Sequence, residues 1–166
     1  PMEFGPRALG NRSILYQANE PDANTWLNDR LGRSEFMPFA PATLIEDAHL
    51  YYLATEGGVE AAQYMTMTFD CTERMKKEAP AAVHIDGTAR PQLVSRERYP
   101  EFFRILTEYK RITGLGSVIN TSFNMHEEPI VRSAVDAVRA FEASGLRYLA
   151  LGQYLVEADS DVFKAN

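Results

Sequence analysis

The stretch at residues 5–13, GPRALGNRS, carries side chains suited to binding an anion. Arg7 lies between two glycines, and Asn11, Arg12 and Ser13 follow the second one. Glycine allows backbone N–H groups to approach a ligand closely, and arginine offers a planar fork of donors that matches phosphate or carboxylate. The pattern therefore predicts an anion-binding loop in which Arg7, Asn11 and Arg12 contact the ligand. A surface loop with two solvated arginines is the alternative.

This stretch is not a phosphate-binding P-loop. The spacing of its glycines is similar, but the lysine of that motif is absent and no strand precedes the loop. We therefore exclude a P-loop nucleoside triphosphatase.

A second set of polar side chains alternates along residues 84–92. Alternate residues of an extended segment face the same side, so these side chains line one surface if the Asp-Gly turn within the segment does not disturb the alternation. They are His84, Asp86, Thr88, Arg90 and Gln92. A hairpin that merely carries polar groups would have a similar pattern, and we favour a ligand site.

A third set follows a short apolar strand, where the sequence becomes NTSFN at residues 120–124. Amides, hydroxyls and backbone N–H groups at a strand end can bind a phosphate. Asn120, Thr121, Ser122 and Asn124 are therefore candidate ligand contacts. Capping of the strand end is the alternative interpretation.

A fourth region, residues 30–39, is less decisive. Arg33 lies just after a predicted helix, and Phe36 and Phe39 are placed to form a wall for a flat ring. A proline-rich loop that packs its aromatic rings on the core would look the same.

Composition limits the function classes. The chain has 166 residues and a net charge of −6, so it lacks the basic character expected of a protein that grips a nucleic-acid backbone. No apolar run is long enough to cross a membrane, and with Cys71 as the single cysteine a cytoplasmic location is the default expectation. Cys71 has no adjacent base.

The histidines give no metal motif. His49, His84 and His126 lie far apart and without ligand spacing, so we predict no metal held by side chains of this domain.

Strand and helix patterns alternate along the chain and favour a single α/β domain with a twisted mixed sheet flanked by helices. The predicted strands are residues 13–16, 43–45, 64–69, 81–85, 92–94, 118–119, 148–151 and 154–156, with 92–94 returning antiparallel after the Asp-Gly turn. The predicted helices run from Pro21 to Gly32, over 71–79, over 99–113 and over 133–141, the last with a capping box. Residues 48–54 fit either type.

Four blocks of the sequence together resemble one family. They are EFGPRALGNRSIL at residues 3–15, PFAP at 38–41, HIDGTAR at 84–90, and NTSFN at 120–124 with EPIV at 128–131. In this order they resemble the C-terminal domain of the O-carbamoyltransferases, which include the NodU-type nodulation proteins and the cephamycin and tobramycin carbamoyltransferases of antibiotic biosynthesis.

The resemblance implies a YrdC-like domain that binds carbamoyl phosphate and ATP, the latter with Mg²⁺, and makes a carbamoyl adenylate. Arg7, Arg90, Asn120 and Ser122 fall where the family contacts the phosphates and the carbamoyl group, and Thr88 and Arg33 fall at or beside further ligand positions. An N-terminal Kae1-like domain with an iron site would carry out transfer to an acceptor hydroxyl. A YrdC-like module that only binds nucleotide or nucleic acid, or a docking element for the other domain, is the alternative.

Three features shape this expectation. Pro1 is not a translation start, so we expect residues 1–166 to be a piece of a larger protein that includes the Kae1-like domain. Met37 stands where many relatives have a basic residue, and Glu127 stands where a glycine before Glu-Pro is usual. The second departure is expected to alter the turn near Asn124.

Overall fold

The computed structural model describes residue 3 and residues 7–33 and 38–159. Phe36 and Met37, together with Gly5 and Pro6 of the first glycine-containing segment, lie outside the described residues. The elements, in chain order, are β1 (Ser13–Gln17), α1 (Ala23–Arg30), β2 (Ala40–Leu44), α2 (Ala48–Tyr51), α3 (Val59–Ala62), β3 (Phe69–Asp70), α4 (Glu73–Glu78), β4 (Thr88–Ala89), β5 (Gln92–Val94), α5 (Pro100–Thr113), β6 (Ser117–Ser122), α6 (Ala134–Ser144), β7 (Tyr148–Leu151) and β8 (Tyr154–Glu157). Short 3₁₀ turns occur at Ile45–Asp47 and Pro80–Ala82.

A four-stranded mixed sheet organises these elements, with strand order β1-β6-β2-β5. Strand β6 runs antiparallel to both β1 and β2, whereas β5 runs parallel to β2. Two smaller antiparallel pairs, β3 with β4 and β7 with β8, lie outside this sheet. The predicted fold class, a mixed sheet flanked by helices in one α/β domain, is confirmed.

Each face of the sheet is covered by apolar side chains. On one face Phe102 and Leu106 of α5 pack with Val118 of β6, whose neighbour Ile119 points into the larger cluster on the opposite face. Full burial of one large apolar side chain contributes about 1.5–3 kcal/mol. Because neighbouring residues of a strand point to opposite faces of the sheet, the alternation along β6 determines which of its side chains face α5.

Helix α5 forms as its sequence predicts. Proline is tolerated at the first helical position, where Pro100 lies, and Gly114 ends the helix in the left-handed conformation with its N–H bonded to the Lys110 carbonyl. The capping box predicted for α6 is also present, because the Ser133 hydroxyl accepts from the Asp136 N–H and the Asp136 carboxylate accepts from the Ser133 N–H. The predicted strands at β1, β7 and β8 are likewise confirmed.

Two predicted strands are wrong. Residues 64–69 reach strand geometry only at Phe69–Asp70, because the chain turns at Met65, which has a φ of 55°. Residues 81–85 do not form a strand either, since the 3₁₀ turn Pro80–Ala82 occupies this part of the chain. Residues 48–54, which fit either type, begin with the short helix α2.

The pairing of β5 and the start of β2 also differ from prediction. Strand β5 pairs parallel with β2, not antiparallel after the Asp-Gly turn. Strand β2 starts at Ala40 and includes Pro41, although two close prolines argue against a central strand. The register explains this: β5 begins opposite Ala42, so Pro41 has a strand neighbour on one side only, at Ile119.

Across the described residues, no helix combines the length and apolar character needed to span a bilayer. Cys71 is buried, and this burial raises the pKa of its thiol to about 11. A thiol with that pKa is almost entirely protonated at neutral pH, so Cys71 is unsuited to act as a nucleophile.

Candidate functional site

Three of the four predicted clusters meet at one end of the central sheet. Ser13 of β1 lies opposite Ser122, Ala40 of β2 lies opposite Asn120, and β5 begins at Gln92 beside Ala42. Strands β1, β2 and β5 therefore begin where β6 ends, and we call this the polar end of the sheet. Here the site lies at the start of three strands, whereas ligand sites of open α/β sheets usually lie at the carboxyl ends.

The loop at residues 7–13 is folded around the carboxylate of Glu3. One Glu3 oxygen accepts from the N–H groups of Leu9 (3.1 Å), Asn11 (2.8 Å) and Arg12 (3.3 Å). The other forms an ion pair of 2.9 Å with the Arg12 guanidinium, which also donates to the carbonyl of Val131. Arg12, a predicted ligand contact, thus has its charge paired within the protein, and the predicted backbone donors point to Glu3.

Burial by itself would raise the pKa of the Glu3 carboxyl. The hydrogen bonds from the N–H groups of Asn11 and Leu9, together with the Arg12 guanidinium, outweigh that effect and lower the pKa. Glu3 is therefore a carboxylate at neutral pH, and its side chain is only 4% exposed.

Two buried amides hold the same loop from the sheet side. The Gln92 amide donates to the Leu9 carbonyl at 2.9 Å, and the Asn120 amide donates to the Ala8 carbonyl at 3.2 Å and to Gln92 Oε1 at 2.7 Å. Asn120 is 1% exposed, and its Oδ1 has no partner among the described residues. In this geometry Asn120 contacts the loop, whereas the resemblance implies contact with ligand.

Arg7 and Arg90 are two charges of the polar end for which the described residues provide no counter-ion. Burial lowers the pKa of the Arg90 guanidinium, and the positive charge of Arg7 lowers it further. Within the described residues, neither arginine forms a salt bridge. Two guanidinium groups that repel each other and lack a carboxylate form a site that favours an anion.

Arg33 and Thr121 lie on the other face of the sheet. The Arg33 guanidinium donates to the Thr121 hydroxyl at 3.3 Å and lies over the Phe39 ring, with 5.0 Å between its central carbon and the ring centroid. Burial lowers the pKa of this guanidinium. Because neighbouring strand residues point to opposite faces, Thr121 is separated from Asn120 and Ser122, and the predicted NTSFN cluster is divided between two faces.

The predicted row of side chains from His84 to Gln92 contains a turn whose side chains bind one another. The Thr88 hydroxyl donates to Asp86 at 2.8 Å and lies 3.0 Å from His84 Nδ1, so these three side chains bind one another. Hydrogen bonds from the Thr88 hydroxyl and N–H lower the pKa of the Asp86 carboxyl. Gln92 is fully buried at the other end of the row. The prediction of an exposed position is wrong for Gln92, and the shared surface of the other four residues stays a prediction. Arg90 is half-buried and, of the five, the one without a partner among the described residues.

Asn124 holds the turn that follows β6. Its amide donates to the carbonyls of Met125 at 2.9 Å and Glu128 at 2.8 Å. Glu127 within this turn has a φ of 62°, in the left-handed region. This conformation explains why a glycine is favourable at the position, since a side chain there is strained.

We expect Glu127→Gly to stabilise the protein. Removing the side chain relieves left-handed strain and offsets the greater flexibility of glycine in the unfolded chain, for a net gain of about 0.5–1 kcal/mol. The thermal midpoint should rise by roughly 1–4 °C. Glu128→Gly is the matched control, because Glu128 does not have a positive φ and its replacement should lower the midpoint. An unchanged or lower thermal midpoint in Glu127→Gly would contradict the claim that the left-handed backbone conformation strains Glu127.

Acidic, histidine and cysteine side chains do not converge on a metal site in the part of the chain that the structure describes. The polar end offers guanidinium groups, the half-buried Ser122 hydroxyl and the exposed Asn11 side chain.

The family model described as carbamoyltransferase C-terminus matches residues 1–158. The chain belongs to this family. The family predicted from the four sequence blocks is thus confirmed. The described geometry leaves the predicted ligand contacts untested, and they stay predictions.

Two curated relatives illustrate the relationship. The chain is 42% identical over 161 residues to the uncharacterized protein MJ1058 of Methanocaldococcus jannaschii, covering 94% of this chain and 25% of the relative. It is 38% identical over 155 residues to the nodulation protein NolO of Bradyrhizobium diazoefficiens, covering 93% of this chain and 28% of that protein. The chain thus spans about a quarter of the length of these relatives.

Among solved structures, full-length HypF in its phosphate- and nucleotide-bound form has a similar fold. The TM-score is 0.58 at 17% identity, over 82% of this chain and 21% of HypF. This likeness concerns the fold.

Proposed function

We propose that this carbamoyltransferase domain activates the carbamoyl group, making carbamoyl adenylate from carbamoyl phosphate and ATP. Written in balance, carbamoyl phosphate, ATP and water give carbamoyl adenylate, pyrophosphate and phosphate. A carbamoyl oxygen forms a bond to the α-phosphorus of ATP, the bond from that phosphorus to the pyrophosphate breaks, and water releases the phosphate of carbamoyl phosphate.

The observation that carries this proposal is the pair formed by Arg7 and Arg90. The reaction brings two anions together, and their repulsion is a barrier that positive charge can offset. Both guanidinium groups lack a salt bridge among the described residues. Burial lowers the pKa of Arg90, and the positive charge of Arg7 lowers it further. An anion between them removes the repulsion, whereas a neutral ligand does not.

Further support comes from the groups around this pair. Ser122 belongs to the same strand face as Asn120, which bonds the loop that follows Arg7. In this proposal, the phosphoryl oxygen held by both arginines lies close to the face that carries the Ser122 hydroxyl. The HypF structure of similar fold holds phosphate and nucleotide, which agrees with an anion site in this fold.

The donor set fits a magnesium-bound nucleotide. Mg²⁺ prefers phosphate oxygens and water and needs few protein ligands, and the described residues offer guanidinium donors for the remaining phosphate charge. The acceptor hydroxyl and the transfer step belong in this proposal to the Kae1-like part of a longer protein, together with its iron.

The test is pyrophosphate exchange. Purified, folded protein is incubated with ATP, carbamoyl phosphate, Mg²⁺ and labelled pyrophosphate, and label should enter ATP only when carbamoyl phosphate is present. Calorimetry with ATP measures binding separately. Absence of both exchange and ATP binding, in the chain and in a longer protein that includes the Kae1-like part, would refute the proposal.

A further inference from the structure

Arg7 needs a rigid backbone behind it if it is to stay beside Arg90. Both guanidinium groups carry a positive charge, and Arg7 contributes to the lowered pKa of Arg90. Without ligand, the long side chain of Arg7 gains by turning away into solvent, where its charge is hydrated. A fixed backbone does not prevent the Arg7 side chain from turning into solvent, but it limits how far the guanidinium group moves away from Arg90.

The loop after Arg7 is fixed on both sides. From the sheet side, buried amides of Gln92 and Asn120 bind the carbonyls of Leu9 and Ala8. From the other side, the carboxylate of Glu3 binds three backbone N–H groups and the Arg12 guanidinium. The remaining N–H group, that of Gly10, donates to the Ser13 hydroxyl at 2.9 Å. Every backbone N–H from residue 9 to residue 12 therefore has a partner within the protein.

We infer that Glu3 is a positioning residue for the anion site: its carboxylate acts as a permanent internal anion that folds the loop and thereby holds Arg7 toward Arg90. This inference rests on the proposed function. It assigns the N–H groups of Leu9, Asn11 and Arg12 to Glu3, and it leaves binding of the triphosphate and of carbamoyl phosphate to side chains.

The opposite role for Glu3 is a displaceable one, in which a ligand phosphate replaces its carboxylate. Three features of the site oppose that role. The Glu3 side chain is 4% exposed, the Arg12 guanidinium that pairs with it is 14% exposed, and the same guanidinium is tied to the Val131 carbonyl. Replacing the carboxylate would strip four hydrogen bonds at once.

The two roles predict opposite effects of removing the carboxylate. If Glu3 positions Arg7, Glu3→Ala should lower kcat/KM for pyrophosphate exchange by roughly 100-fold, the cost of misplacing a reacting group by about 1 Å. Glu3→Gln keeps an acceptor oxygen but loses the charge, so it should retain intermediate activity. If Glu3 is displaceable, both variants should bind inorganic phosphate more tightly than the unmodified protein.

Amide hydrogen exchange provides a readout that does not need a ligand. The N–H groups of Leu9, Asn11 and Arg12 should be protected in the unmodified protein and should exchange faster in both variants, with the rest of the sheet unaffected. Glu142→Gln, at an exposed position of α6, removes one negative charge elsewhere and is the matched control. It should change neither exchange nor phosphate binding.

The outcomes are distinguishable. Loss of amide protection together with the graded loss of activity supports the inference. Unchanged protection in the variants, or tighter phosphate binding by them, overturns it. Absence of phosphate and ATP binding in unmodified protein whose loop amides are protected overturns the proposed function, and with it the role of the loop in binding.

Discussion

Replacing Arg90 with alanine is expected to lower the rate of pyrophosphate exchange at least about 100-fold while leaving the protein as stable as before. The loss of one donor that stabilises developing charge typically costs about 2.7–4 kcal/mol of barrier, or roughly 100- to 1,000-fold in rate. Arg90 has no salt bridge among the described residues, and its charge repels that of Arg7. The thermal midpoint should therefore remain unchanged or rise slightly, and calorimetry should find no measurable ATP binding.

Arg111→Ala is the matched control for this experiment. Arg111 lies on α5, its side chain is 68% exposed, and it pairs with Glu108 at 2.7 Å. Exposed pairs of this kind contribute about 0–1 kcal/mol, so exchange and stability should both stay close to normal. A large drop in the thermal midpoint of Arg90→Ala would instead indicate a structural role for Arg90, and retained exchange would contradict its role at the site.

Local sequence signals predicted the helices and the outer strands well. The apolar spacing and the left-handed Gly114 define α5, and the Ser133 cap with Asp136 defines the start of α6. Both depend on contacts within a few residues, which a sequence displays directly. The parallel pairing of β5 with β2 depends instead on segments about 50 residues apart, and no local pattern encodes it.

The candidate site was predictable in its arginines and less so in its geometry. The glycine-containing loop identifies Arg7, and the alternating polar row of residues 84–92 identifies Arg90, since guanidinium groups favour anions. The alternation along β6 does divide Thr121 from Asn120, but the sequence does not indicate which face carries the ligand. The turn at residues 84–88 closes on itself through hydrogen bonds whose partners only become evident in three dimensions.

Glu3 and Gln92 hold the backbone of the loop at residues 7–13, and the sequence does not predict this role for either residue. Glu3 lies six to nine positions before the N–H groups that it binds, a spacing that belongs to no common capping motif. Gln92 lies 83 residues from Leu9, to which it donates. Both residues bind backbone groups, which are nearly the same in every residue. Residue types alone therefore do not indicate that Glu3 and Gln92 hold the loop.

Replacing Gly10 with alanine is expected to destabilise the protein strongly, because Gly10 packs closely against the ring of Phe102. Gly10 has a φ of 112°, and a Cβ at this position would lie 2.4 Å from Phe102 Cδ1 and 2.7 Å from Cγ. Gly10→Ala therefore combines left-handed strain with overpacking against a ring that is 4% exposed. We expect a loss of about 2–5 kcal/mol in unfolding free energy, and a fall of roughly 4–20 °C in thermal midpoint.

A double-mutant cycle separates the two causes. Phe102→Ala removes Cδ1 and Cγ, the two atoms that a Cβ at residue 10 would meet most closely. Gly10→Ala should therefore cost less in that background, with a coupling of about 1 kcal/mol or more. The part of the cost that persists is the strain of the backbone. Gly57→Ala is the control, because Gly57 has no atom within 4 Å of the added Cβ and no positive φ, and this change should be nearly neutral. Equal costs of Gly10→Ala in both backgrounds would show that the ring does not constrain the loop, and that its hydrogen bonds, including those to Glu3, Gln92 and Asn120, hold it instead.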